Sequence, residues 1–326
     1  MQVFATDLFE RKFFEERFWV INMYFLITVD TEGDNLWAWH EGQPITTQNT
    51  MYIPRFQEMC EEFGFIPTYL TNYEMAMDPE WVKYGRKKAQ MGKCEIGMHI
   101  HAWNSPPKYD LPRNAGGNSY ITEYPAEIID QKVGYLADNL SELFEVSITS
   151  NRSGRWATNE TFFEALKNHG VKVDCSVTPE LDLSGICGYS KNCGNDYRKA
   201  SRIPYEILPG LLEIPMTTRL LHTPTGNTLK AKLWNLIKGK ELWFRPIQSF
   251  EDTCRLVKTI EKEGNSDYME YMIHSSELMP GGSPYFKNED AVEKMYENME
   301  RLFSLMSRSG YIGISLSDYA EGSKNE

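Results

Sequence analysis

Long apolar runs, a basic surplus and paired cysteines are all missing from this chain, and each absence excludes something. No stretch of twenty apolar residues occurs in its 326 residues, so no transmembrane helix is predicted. Acidic residues outnumber basic ones 46 to 34, and the resulting charge of −12 argues against a nucleic-acid-binding surface or a polyanionic membrane partner. The six cysteines (Cys60, Cys94, Cys175, Cys187, Cys193 and Cys254) include no Cys-x-x-Cys pair. Cys187 and Cys193 flank a short loop that a disulfide or a metal clip can close, but free thiols fit a chain without a signal peptide better. The N-terminus is such a case: Asp7, Glu10, Arg11, Lys12, Glu15, Glu16 and Arg17 interrupt it, and it lacks an apolar core and a small-residue cleavage site. Residues 1–22 are expected to form an arm or a short amphipathic helix, residues 23–326 one domain, and the expected location is cytoplasmic. Neither an internal repeat nor a linker between two composition classes is present.

What remains is enough apolar material for a sizeable core, 41% of the chain, arranged as alternating apolar runs and amphipathic stretches. Met23–Val29, Phe65–Leu70, Glu95–Met98, Val171–Ser176, Leu211–Pro215, Tyr268–Ile273 and Tyr311–Leu316 read as strands. Ile53–Phe63, Glu80–Met91, Ala126–Phe144, Asn159–Asn168, Phe250–Glu263 and Glu289–Ser309 read as helices. Residues 178–201 are loop-like. The basic segment Leu220–Leu242 reads as a partly helical insertion or outer helix. Repeated βα units over this length predict a single α/β barrel, whose chemistry sits at the C-terminal ends of the strands.

Histidine is scarce, six in all, yet two of them stand two residues apart at the end of an apolar run, in Glu95-Ile96-Gly97-Met98-His99-Ile100-His101. Residues i and i+2 of a strand share a face, so His99 and His101 present two imidazoles side by side. An isolated pair of this kind is as readily two hydrogen-bonded strand-end histidines as two metal ligands. A second cluster, Asp30-Thr31-Glu32-Gly33-Asp34, ends the apolar run Met23–Val29. Asp30 and Glu32 again share a face, so one carboxylate can ligate a metal while the other acts as a base; capping the next segment is the alternative. His274 ends the strand Tyr268–Ile273, where it is either a structural histidine or a general acid. Arg152 and Arg155 follow Val146–Ser150 in a Ser/Gly turn, where an arginine can hold a carboxylate ionised. Asp174 lies in or near its strand and needs a partner, for which one of those arginines is a candidate.

In this order the motifs resemble the polysaccharide deacetylase family, the NodB-homology carbohydrate esterases. Thr28-Val29-Asp30-Thr31-Glu32-Gly33 is similar to the family's Thr-Phe-Asp-Asp-Gly, Glu95–His101 to its histidine motif, Arg152 with Trp156 to its arginine turn, and Ile273-His274 to its closing Leu/Ile-His. Two features depart from the common pattern: the histidines are two apart rather than four, and Asp-Thr-Glu replaces Asp-Asp. Both variants, with the loop His274–Gly282, resemble a divergent branch linked to cell-surface polysaccharide or lipopolysaccharide synthesis. The resemblance implies a distorted (β/α) barrel with about seven parallel strands. It implies one divalent metal held by Glu32, His99 and His101, zinc foremost, with cobalt, nickel or iron as alternatives. The choice between Glu32 and Asp34 as acidic ligand stays open. Asp30 would be the base, Arg152 its partner and His274 the acid, while Trp103, Trp156 and Arg155 are candidate substrate contacts, with Trp37 and Trp39 nearby. The implied activity is removal of an N-acetyl or other acyl group from an amino sugar in a polysaccharide or glycolipid precursor. Hydrolysis of another small amide, or glycan binding without turnover, are the alternatives. Oligomeric state is not readable.

Overall fold

The computed structural model describes residues 22–222 and 228–323. The segment expected to form an N-terminal arm lies outside the described residues, except for Asn22. Among the described residues there are eleven strands: β1 (Tyr24–Thr31), β2 (Thr68–Thr71), β3 (Glu95–Ile100), β4 (Ser150–Ser153), β5 (Val173–Asp174), β6 (Tyr205–Leu208), β7 (Leu211–Glu213), β8 (Thr218–Leu221), β9 (Lys240–Trp243), β10 (Tyr268–His274) and β11 (Ile312–Ile314). The helices are α1 (Ile53–Glu62), α2 (Tyr73–Ala76), α3 (Pro79–Gln90), α4 (Ala126–Phe144), α5 (Glu160–Asn168), α6 (Leu229–Lys238), α7 (Phe250–Glu263), α8 (Glu289–Arg308) and α9 (Leu316–Ser323). Most begin where a short polar side chain caps free backbone N–H groups, as Asn159 accepts from Phe162, Ser249 from Asp252 and Asn288 from Ala291.

The main sheet runs β10-β1-β2-β3-β4-β5-β7, all parallel, with β6 antiparallel at the edge and β11 beside the start of β1. It curls into a distorted (β/α) barrel forming one domain. The gap between β10 and β7 is closed by hydrogen bonds from Tyr268 Oη to the Pro215 carbonyl, from Glu270 N to Thr217 Oγ1 and from Met272 N to the Phe244 carbonyl.

Strand alternation divides each strand between two environments. On β1, Phe25, Ile27 and Val29 join the large core between sheet and helices, with Phe56, Trp81, Leu136, Leu166, Leu256 and Phe303. Leu26, Thr28 and Asp30 face the barrel interior. The floor of that interior is apolar, where Leu26, Leu70, Val173, Ile214 and Tyr268 pack against Leu316, Tyr319 and Ala320 of α9. Above it come Thr28, Glu270 and Arg152, which hydrogen-bond one another. At the top, Asp30 and His274 are register partners on β1 and β10. Gly97 keeps the interior open: a Cβ there would lie 2.3 Å from Ser150 Oγ and 2.7 Å from Leu70 Cδ2.

Three readings of the sequence need correction. Arg152 does not follow its strand in a turn; it lies within β4, which covers Ser150–Ser153, because Asn151, Arg152 and Ser153 pair with Met98, His99 and Ile100 of β3. The segment Val171–Ser176 contributes only Val173 and Asp174 to the sheet. Leu220–Leu242 is partly helical as read, in α6, but the reading missed the antiparallel strands β8 and β9 that flank the helix. Cys187 and Cys193 are free.

Candidate metal centre and cleft

Asp30, Glu32, His99, His101 and His274 meet at the C-terminal ends of β1, β3 and β10, lining a cleft of about 320 Å³ with Trp37, Trp103, Asn118, Arg155, Trp156 and Arg245. Glu32, His99 and His101 are buried, and one ligand atom from each lies within 4.8 Å of the others. Glu32 Oε2 stands 3.5 Å from His99 Nε2 and 3.3 Å from His101 Nε2. Those separations are long for charge-assisted hydrogen bonds but match the edge, about 3.4 Å, of a tetrahedron with bonds of about 2.1 Å. His99 Nδ1 is 2.9 Å from the Arg152 carbonyl, which can only accept, so the proton sits on Nδ1 and the Nε2 lone pair faces the cluster. The His101 ring stacks on Trp103 at 4.2 Å and abuts Gly154, where a Cβ would lie 2.1 Å from His101 Cδ2. The donor set, its tautomer and its spacing therefore fit a divalent ion.

Asp34 is committed elsewhere. Its carboxylate accepts from Thr46 Oγ1 at 2.5 Å and from Asn49 N at 3.3 Å, which leaves Glu32 as the carboxylate in the cluster.

Asp30 lies beside the cluster, its Oδ2 3.9 Å from both His99 Nε2 and His274 Nε2. Arg152 Nη1 donates to Asp30 Oδ1 at 2.6 Å. Burial alone would raise this carboxyl, but the guanidinium, with His99 and His274, holds it well below the usual carboxylate range. The same arginine pairs with Glu270, so one cation serves two carboxylates. Burial pushes Glu270 up to about 7, with Arg152 opposing, while Asp30 keeps the negative charge. Burial disfavours charge on both histidines; Asp30 and Glu32 overcome it at His99, raising its pKa, whereas His99 adds to it at His101, lowering that pKa.

His274 closes the opposite wall. Arg245 Nη2 lies 3.0 Å and Glu277 Oε2 3.4 Å from His274 Nδ1, while Nε2 turns to the cluster, 3.9 Å from Glu32 Oε1. Glu277 accepts from the His274 backbone N at 2.9 Å and pairs with Arg245 at 3.2 Å. Trp37 meets the His274 ring edge-on at 4.9 Å, and Trp39 stacks on Trp103 behind the rim. Arg155 and Trp156 occupy left-handed backbone (φ 58° and 63°), which turns both toward the cleft. Arg155 donates to the carbonyls of Asn118 and Cys187 and so ties three loops together.

The structure thus places Asp30, Glu32, His99, His101, Trp103, Arg155, Trp156 and His274 around one cleft, with Arg152 beneath Asp30, and leaves Asp34 outside it. Asp174 does not pair with an arginine: it accepts from Asn151 Nδ2 and Ser176 and lies against Glu213, on the sheet face opposite Val173 and Ile214. Arg245, Glu277, Asn118 and Glu270 were not expected at the site. Glu270 carried a signal, since an acid in the middle of the apolar strand Tyr268–Ile273 must find a partner. Arg245 carried none.

The sequence matches no family model and no curated protein. The fold does have solved counterparts. A candidate polysaccharide deacetylase from Mycobacterium smegmatis superposes with a TM-score of 0.54 at 15% identity, over 94% of this chain and 92% of that one. A 4-alpha-glucanotransferase from Thermococcus litoralis gives 0.55 at 13% identity, over 92% of this chain but 40% of the other. A family 57 glycoside hydrolase branching enzyme from Thermococcus kodakaraensis gives 0.53 at 11%, over 92% and 71%. These likenesses establish a shared barrel. Their names describe different reactions, so the fold alone leaves the chemistry to the site.

Proposed function

We propose that this protein is a metal-dependent hydrolase that removes an N-acetyl group from an amino sugar in a polysaccharide or glycolipid precursor. The observation that carries the reading is the Glu32, His99, His101 cluster with the Asp30 carboxylate on one side and the His274 imidazole on the other. A divalent ion held by those three residues would polarise the amide carbonyl and acidify a water molecule. Asp30, kept ionised by Arg152, takes the proton from the attacking water. The imidazolium form of His274 gives its Nε2 proton to the departing amine and is left neutral, with Arg245 and Glu277 fixing the ring. Trp37, Trp103 and Trp156 offer flat apolar walls to a sugar ring, and the buried setting strengthens each charge. Zinc suits the mixed nitrogen and oxygen donors.

Metal analysis of the wild-type, His99→Ala and His101→Ala proteins tests the first half. About one ion per chain in the wild type, lost in both variants, is expected. The second half is tested by acetate release from N-acetylated amino sugars, set against a small cyclic amide and against glycosyl transfer. No metal after loading with zinc, cobalt or nickel, or retention in both variants, refutes the reading.

A further inference from the structure

The helix α6 is inside out. Leu229, Leu233, Trp234, Leu236 and Ile237 are 86, 59, 61, 47 and 64% exposed, so half of a ten-residue helix consists of large apolar side chains turned to solvent. Leu229, Leu233, Leu236 and Ile237 share one stripe by their spacing, while Ala231 and Asn235, four apart, are the half-buried positions that face the protein. No residue of α6 is buried. Single exposed apolar residues need no explanation, but a contiguous patch of this kind marks a surface that meets something.

Charge says what it meets. From Ile214 to Lys240 the chain contains four lysines, one arginine and no acid, although the whole protein carries −12. Lys230, Lys232 and Lys238 are exposed on α6 beside the apolar stripe. Apolar residues including tryptophan, flanked by lysine on a helix too short to span a bilayer, are the pattern of an element lying in a membrane interface. The helix is also held in place. Arg219 on β8 bridges to Glu263 at 2.8 Å and Lys240 on β9 to Asp252 at 2.5 Å, fixing the ribbon to α7.

We propose that α6 is a docking helix that seats the protein on an anionic lipid bilayer. The ribbon links it to the cleft: at its base Trp243 packs on Trp156 at 5.6 Å, and Arg245 lines the cleft wall. Lys240 and Trp243, at the two ends of β9, are separated by about 10 Å of extended chain. Docking therefore holds the cleft near the headgroup layer, and, on the hydrolase reading above, fits a lipid-carried amino sugar as substrate.

The test is co-sedimentation with vesicles of phosphatidylcholine alone and with about one-third phosphatidylglycerol. The wild type should bind the anionic vesicles and bind the neutral ones far more weakly. L233E/W234E should lose roughly ten-fold or more of the binding. K230E/K232E/K238E should lose at least about five-fold per lysine replaced, and salt should weaken the wild type in the same way. All five positions are exposed, so unchanged thermal unfolding is expected in both variants. No binding to either vesicle, or binding that neither variant alters, overturns the proposal. So does a wild-type dimer that L233E/W234E dissolves without any vesicle binding, since the occupant would then be a second copy. Partitioning needs neither metal nor turnover, so it stands if no acetate is ever released. Conversely, acetate release from free sugars, equal in wild type and L233E/W234E, would uphold the hydrolase even where docking failed.

Discussion

Glu213 on β7 and Asp174 on β5 are register partners and fully buried, and what surrounds them is Asn151, Ser176 and the Val177 backbone. Burial, then the neighbouring carboxylate, pushes Glu213 well above its usual range, and burial raises Asp174 despite its hydrogen bonds. The pair therefore keeps a proton that the unfolded chain releases once the pH passes 4.5, the ordinary Glu value. A group whose folded pKa is raised binds more protons folded than unfolded, so stability falls as pH rises through that window. Each pH unit between the unfolded and folded values costs about 1.4 kcal/mol, so the cost grows from pH 5 toward pH 7.

Glu213→Gln removes that cost without moving an atom of the frame. The Gln carbonyl accepts from Val177 N as Glu213 Oε1 does, and its amide donates to Asp174 in place of the shared proton. The variant should be more stable than wild type at pH 7, with most of the gain gone at pH 5. Asp174→Asn is the control, because Asp174 Oδ1 accepts from Asn151 Nδ2 and Ser176 Oγ while Oδ2 accepts from Ser176 N. An amide there sets donor against donor and should destabilise by about 1–3 kcal/mol. Urea unfolding of the three proteins at both pH values is the assay. A Glu213→Gln gain that ignores pH, or a loss at pH 7, would refute the shared-proton account.

Arg152→Met should leave Asp30 and Glu270 as buried acids without a cation, at a cost of about 3–5 kcal/mol in unfolding free energy, and abolish turnover while metal content stays near wild type; loss of the metal as well would show that Arg152 supports the ligands instead. Gly154→Ala should press on the His101 ring and on the Ile100 carbonyl, 2.7 Å from the new Cβ. Zinc affinity measured by competition with a chelator should fall by at least about ten-fold. Lys132 donates to the Ser105 and Pro107 carbonyls at 2.6 Å each, tying down the loop after His101. Lys132→Met should cost about 2–4 kcal/mol in thermal or urea unfolding, and an unchanged midpoint would mean that the loop holds itself.

The cleft was legible because one rule generates it. Period two placed Asp30 with Glu32 and His99 with His101, and parallel pairing then set Asp30 opposite His274 and His99 opposite Arg152. Helix positions were equally open to reading, since α7 coincides with the amphipathic stretch Phe250–Glu263 and α4 with Ala126–Phe144. What sequence hid was pairing between distant segments. Glu213 could not be matched to Asp174, nor Arg245 to His274, because which strands lie side by side is not written in the period of either segment.

Arg152 shows why its own strand was mistaken for a turn. Ser150-Asn151-Arg152-Ser153 has no apolar residue, and a solvent-facing loop is the ordinary place for such a sequence. Here all four are buried, and three are tied to neighbouring segments: Ser153 N donates to Ser176 Oγ, Asn151 Nδ2 to Asp174, and Arg152 to Asp30, Thr28 and Glu270. A polar strand can occupy the interior of a barrel only if its partners are already charged or hydrogen-bonding, because an unpaired guanidinium there would cost several kcal/mol. The lone acid in Tyr268–His274, the acid at the end of β1 and the polar β4 are therefore one observation. Each is costly alone, and together they require a buried charge network beneath the site. That network fixes Asp30 in its ionised form before any ligand arrives.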